Sequence, residues 1–86
     1  MVHPKLKDFI NHTLIPGFYL DVRGNYCIVI NKYLISVFVN SCDEELDVTI
    51  DGITKEGFFD DNIEWETPAD YKDVVETIQR FVKYAI

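Results

Sequence analysis

The chain has 86 residues, 48% of them hydrophobic and 14% aromatic. That is room for one core in one domain, 1–86, and too much apolar side chain for a disordered polymer. Eight basic residues stand against fifteen acidic ones, a net charge of −7, which argues against direct contact with nucleic acid or an anionic membrane, since both need a cationic surface.

In chain order, Pro4 opens a short predicted helix over 4–12. Leu6, Phe9 and Ile10 fall at helical spacing within it, and Ile15-Pro16-Gly17 ends it. Asn11, His12 and Thr13 interrupt any apolar run after Lys5 and Lys7, so no secretory leader is expected and the chain is read as cytoplasmic. The longest apolar run, Cys27-Ile28-Val29-Ile30, has the length of a strand, far short of a membrane span. Cys27 and Cys42 are spaced unlike a zinc site and are expected as free thiols.

A β-meander follows. Gly24-Asn25 and Asn31-Lys32 predict two tight turns, joining strands over 17–23, 26–30 and 33–40. With two-residue loops, Val22 faces Cys27, Leu20 faces Val29, Val29 faces Leu34 and Ile28 faces Ile35. One face then carries Phe18, Leu20, Val22, Cys27, Val29, Leu34, Ser36 and Phe38. The other carries Tyr19, Asp21, Arg23, Tyr26, Ile28, Ile30, Tyr33, Ile35 and Val37. Both are largely apolar, so the second face too is expected to be covered, by the N-terminal helix, a second copy or a partner.

Leu46, Val48 and Ile50 alternate with Asp47, Thr49 and Asp51, the pattern of a half-buried strand. Asp51-Gly52 is read as a tight turn, with Ile53 onward pairing back until Glu56-Gly57. Asp60-Asp61-Asn62 is read as a second turn, leading into a short strand at Ile63 to Glu66. Thr67, Pro68 and Asp70 read as the cap, first and third positions of a C-terminal helix. Its apolar stripe runs through Tyr71, Val74, Val75, Ile78, Phe81, Val82 and Ala85. Thr77 falls on its wet side, and Glu76 and Arg80 form an expected pair one turn apart. The fold class is α+β: an antiparallel meander of four to five strands, a short N-terminal helix, and a long amphipathic C-terminal helix packed on the sheet.

The acids are unevenly placed. Between Asp43 and Asp73 there are twelve, against Lys55 and Lys72, a local charge of −10. Such a cluster repels itself, a cost that a basic partner would offset. Alternate strand residues stand about 6.6 Å apart, close to two steps of about 3.4 Å along a nucleic-acid strand. Glu64 with Glu66, one such interval apart, and Asp47 with Asp51, two intervals apart, therefore could present carboxylates at a spacing that loosely copies phosphates. A solvated acidic face that only keeps the chain soluble is the plain alternative.

The chemistry of an enzyme is not visible. There is no phosphate loop or nucleophile elbow, and the two histidines, His3 and His12, lie nine apart. The 60–64 segment lacks the glycine and distal glutamate of a calcium loop. No catalytic residue, metal site or cofactor is assigned. The expected function is that of a small acidic inhibitor or decoy of a basic protein, such as a nuclease or other nucleic-acid-binding enzyme, bound through Asp43, Glu44, Glu45, Asp47, Asp60, Asp61, Glu64, Glu66 and Phe58. Phe59 and Trp65, which lie among these acids, are expected to pack in the core. In size and charge, though in no motif, the chain looks like phage-borne inhibitors of host nucleases, anti-CRISPR proteins among them, and like toxin-immunity proteins. The alternative is a homodimeric structural or adaptor subunit that buries the sheet face around Tyr19, Ile28, Tyr33 and Ile35.

Overall fold

The computed structural model describes residues 2–86. The elements in chain order are α1 (Pro4–His12), β1 (Tyr19–Leu20), β2 (Tyr26–Ile30), β3 (Tyr33–Val39), β4 (Leu46–Ile53), β5 (Phe59–Glu66) and α2 (Tyr71–Ala85). The five strands form one antiparallel meander in the order β1-β2-β3-β4-β5. Both helices lie on the same side of it, so the fold is the expected α+β one.

Helix α1 starts where the residues allow. The His3 imidazole accepts the Lys5 N–H at 3.1 Å and Pro4 takes the first turn, where its missing N–H costs nothing. Leu6 and Phe9 are its buried residues. Helix α2 begins later than the sequence implies. Asp70, not Thr67, is the cap, and its carboxylate accepts the Asp73 N–H at 2.9 Å. A carboxylate two positions beyond Pro68 wins because it can satisfy an orphan N–H of the first turn. From α2, Val74, Ile78, Phe81 and Ala85 are buried against Tyr26, Ile35, Val37, Val48 and Ile50 of the sheet. Each large side chain in that layer contributes roughly 1.5–3 kcal/mol of burial. Phe9 and Tyr71 meet edge to face at 5.3 Å, joining the helices above the sheet. Thr77 is buried rather than wet; its hydroxyl donates to the Asp73 carbonyl at 2.8 Å, which removes the cost of burying it.

The β2–β3 register is the expected one, with Val29 opposite Leu34 and Ile28 opposite Ile35. Asn31 holds the turn at φ 55 and donates to the Ala85 carbonyl at 2.7 Å, tying the hairpin to the end of α2. The β1–β2 register is not as expected. Tyr19 faces Cys27 and Leu20 faces Tyr26, because the loop has five residues instead of two. The Asp21 carboxylate accepts the N–H groups of both Arg23 and Asn25 at 2.9 Å and rounds the chain off early. The shift is an odd number of residues, so β1 is flipped. Tyr19 shares a face with Cys27, and Val22 is fully exposed at the loop tip.

The second half of the meander also differs. Asp51-Gly52 is not a turn: β4 runs on to Ile53, and the chain reverses at 54–58, closed by the Thr54 N–H to the Phe58 carbonyl at 2.7 Å. Asp60, Asp61 and Asn62 lie inside β5 rather than in a turn. Two irregularities in the β4–β5 ladder absorb the mismatch. Ile50 faces Glu64 while Asp51 faces Asn62, and Gly52 faces Asp61 while Ile53 faces Phe59. Ile63 and Asp60 are the extra residues, bulged out of the ladder.

Alternation therefore divides the sheet cleanly. Tyr26, Ile28, Ile30, Tyr33, Ile35 and Val37 face the helices. This is the surface the homodimer reading expects to be free, yet Ile35 is fully buried under the chain's own helices and Tyr33 packs on Tyr84. The face without a helix carries Cys27, Val29, Leu34, Ser36, Phe38, Thr49 and Trp65.

Candidate functional site: the uncovered sheet face and the β5 edge

The structure separates the sequence-predicted acids into three groups. The first is the β3–β4 loop, where Asp43, Glu44 and Glu45 turn back on their own chain. Asp43 accepts the Glu45 N–H at 3.0 Å. Glu44 lies 3.4 Å from the His3 ring, and Glu45 lies 3.1 Å from the Lys5 ammonium. The second group is Glu64 and Glu66 on β5. Both point to the helix side, where the Arg80 guanidinium reaches them at 2.8 and 3.5 Å. Arg80 is therefore not the partner of Glu76. The neighbouring Glu66 carboxyl, and after it Arg80, hold Glu64 below its ordinary value, while the neighbouring Glu64 pushes Glu66 above its own. Glu64 and Glu66 are thus not a bare pair of phosphate-like charges.

The third group is Asp60 and Asp61, exposed on β5, with no ion pair among the described residues. They sit at the far end of β4 from residues 43–45, about 20 Å away at the rise of a strand. The predicted acids therefore do not form one contiguous zone. Phe58 is exposed in the 54–58 turn, beside this third group.

Asp47 is a correction of a different kind. It is 1% exposed and offers nothing to a partner. It faces the uncovered side opposite Phe38. Its Oδ2 accepts the Trp65 indole N–H at 2.7 Å and the Asn40 amide at 3.0 Å. Among the described residues its Oδ1 has no hydrogen-bond partner. Phe38 and Trp65 close over it, ring against ring at 5.6 Å and 73°.

Trp65 is not a core residue. It is 53% exposed and stands over the uncovered face, and Phe59 is half-buried farther along the same strand. Together with Phe38 they bound a groove of about 370 Å³. Ser36 and Thr49 line it and are themselves buried, as a floor. Asp51 and Asp60 supply its carboxylates. Asn62 donates to Asp51 Oδ1 at 2.9 Å, which fixes that carboxylate and leaves its second oxygen free. Arg23 reaches the opposite rim, where its guanidinium lies 3.4 Å from Asp21.

The groove escaped sequence reading for a definite reason. Trp65 was visible as an aromatic among acids, but its side of the sheet was not, because two bulges set which β5 residues face outward. Asp51, taken for a turn residue, is instead a strand residue on the groove wall.

Other chemistry is sparse. Cys27 and Cys42 are free thiols, the first buried and the second exposed. Burial pushes the Cys27 thiol above its ordinary value, which makes it a poor nucleophile at neutral pH. Among the described residues no three His, Cys, Asp or Glu side chains are placed to hold a metal ion, and no helix is long and apolar enough to cross a membrane. No family model matches the chain, nor does any curated protein or solved structure, so its function is read from this geometry alone.

Proposed function

We propose that this chain is a protein-binding domain, an inhibitor or decoy that occupies a cationic surface of a nucleic-acid-binding protein. Its docking surface is the β5 edge together with the uncovered sheet face beside it. The observation that carries the reading is Asp60, exposed and without an ion pair among the described residues, in the groove that the half-exposed Trp65 bounds on a sheet face that no helix covers, with Asp61, likewise exposed, on the other side of the same edge strand. Carboxylates without internal counter-ions give the steering field, and an exposed aromatic gives the anchor that such interfaces need. Asp43, Glu44 and Glu45 add only a distant background, since Glu44 already faces the cap residue His3 and Glu45 faces Lys5 of α1. The role is one of binding without catalysis.

The test is capture by the immobilised chain from an extract of cells that carry it, in parallel with a D60N/D61N variant. A basic nucleic-acid-binding protein is expected on the native chain at low salt. It should be released at high salt and displaced by added duplex DNA. The double variant should hold it about tenfold less well, through a slower association. Equal retention by the variant would overturn the proposal.

A further inference from the structure

The groove beside Trp65 has a chemistry more specific than an acidic field. The indole N–H is already used: it donates to buried Asp47 at 2.7 Å, and Phe38 packs edge to face against the same ring. What Trp65 has left to offer is ring surface. The Asp47 oxygen that accepts this hydrogen bond also enriches the ring in electron density. An electron-rich aromatic face held in one orientation attracts cations. Asp51 and Asp60 line the same groove, and Asn62 holds Asp51 with one oxygen free. The single cation at the rim, Arg23, lies beside Asp21, so it does not cancel the groove's charge.

We infer that this groove takes an arginine side chain of the partner, its guanidinium stacked on Trp65 and its N–H groups donating to Asp51 and Asp60. The inference rests on the docking reading above and names what that surface recognises. Charge complementarity selects a cation over an anion. Planarity selects arginine over lysine, because a guanidinium can lie flat on a ring while its in-plane N–H groups point sideways at carboxylates. An ammonium is a compact, strongly hydrated point charge that gains less from the ring.

Trp65 is the chain's single tryptophan, so its emission reports on the groove alone. The probes are blocked oligo-arginine and oligo-lysine peptides of equal length and charge. Saturable quenching of Trp65 by oligo-arginine, with affinity about fivefold above that of oligo-lysine, is expected. Asp60→Asn should weaken oligo-arginine by a similar factor and leave the far-ultraviolet circular dichroism unchanged. Trp65→Leu, followed by calorimetry, should erase the preference for arginine while a salt-sensitive residue of binding persists. Equal affinity for both peptides with no change in Trp65 emission would overturn the arginine site and leave acidic docking standing. If neither peptide binds even at low salt, both the site and the docking surface are overturned.

Discussion

A buried carboxylate with one bonded and one unbonded oxygen is an expensive thing to keep, and Asp47 is one. Its return is two donors satisfied at once, the Trp65 indole and the Asn40 amide. Asn40 also accepts the Cys42 N–H through its side-chain oxygen at 2.8 Å, so one carboxylate organises both the aromatic pair and the start of the β3–β4 loop. Replacing Asp47 by alanine strands those donors and opens space under Phe38 and Trp65. A loss of about 2–3 kcal/mol is expected from urea unfolding. The emission of Trp65 in the folded variant should shift to the red, as the ring loses its fixed seat. Unchanged stability with unchanged emission would mean that the hydrogen bond has no hold on the indole.

Among the elements, the β1–β2 hairpin shows most plainly how one side chain sets a register. Burial opposes ionisation of Asp21, but the N–H groups of Asn25 and Arg23 and the nearby Arg23 guanidinium outweigh it. Its carboxyl is therefore held below the ordinary 3.8. A lowered folded value means stabilisation that is present above the ordinary value and lost as pH falls through the folded one. The native chain should thus be more stable than Asp21→Ala by about 1 kcal/mol near neutrality. The two stability curves should converge as acid takes the pH below the carboxylate range. Parallel curves in an acid titration would show that the loop is closed by other bonds. Gly17 adds a steric demand to the same region: it sits at φ +88, and a Cβ there would lie 2.9 Å from Ile28 Cδ1.

The same elements show what the sequence discloses and what it hides. Helices α1 and α2 and the β2–β3 hairpin were legible because their signals are local: a proline at a first turn, an apolar stripe at helical spacing, a two-residue turn between apolar runs. The register of β1 and the span of β4 and β5 were not. Gly24-Asn25 has the composition of a tight turn, yet the deciding group is Asp21, outside the dipeptide. Asp51-Gly52 and Asp60-Asp61-Asn62 have turn composition too, yet cross-strand pairing overrides it and bulges at Asp60 and Ile63 take up the excess. The candidate site depends on those bulges. So its acids and Trp65 were nameable in the sequence, while their placement around one groove was not.

At the scale of the whole molecule, the open question is why a sheet face bearing Val29, Leu34, Phe38 and Trp65 stays uncovered. Val29 is 44% and Trp65 53% exposed, enough apolar surface to invite a second copy. Charge works against that. Two copies placed face to face by a twofold axis would bring one groove, with Asp51 and Asp60, near the other, and would set two chains of net charge −7 together. The β5 edge carries Asp60, Asp61, Glu64 and Glu66 as well as two bulges, a combination that blocks strand-to-strand addition. At low ionic strength, sedimentation of the native chain at micromolar concentration should therefore give a monomer. The D60N/D61N variant should associate more readily than the native chain, and both more readily as salt is added. Such behaviour would mean that the acids hold this face open for an unlike, basic partner. A native dimer that persists at low salt and is lost on Trp65→Leu would instead make the face an interface between identical chains.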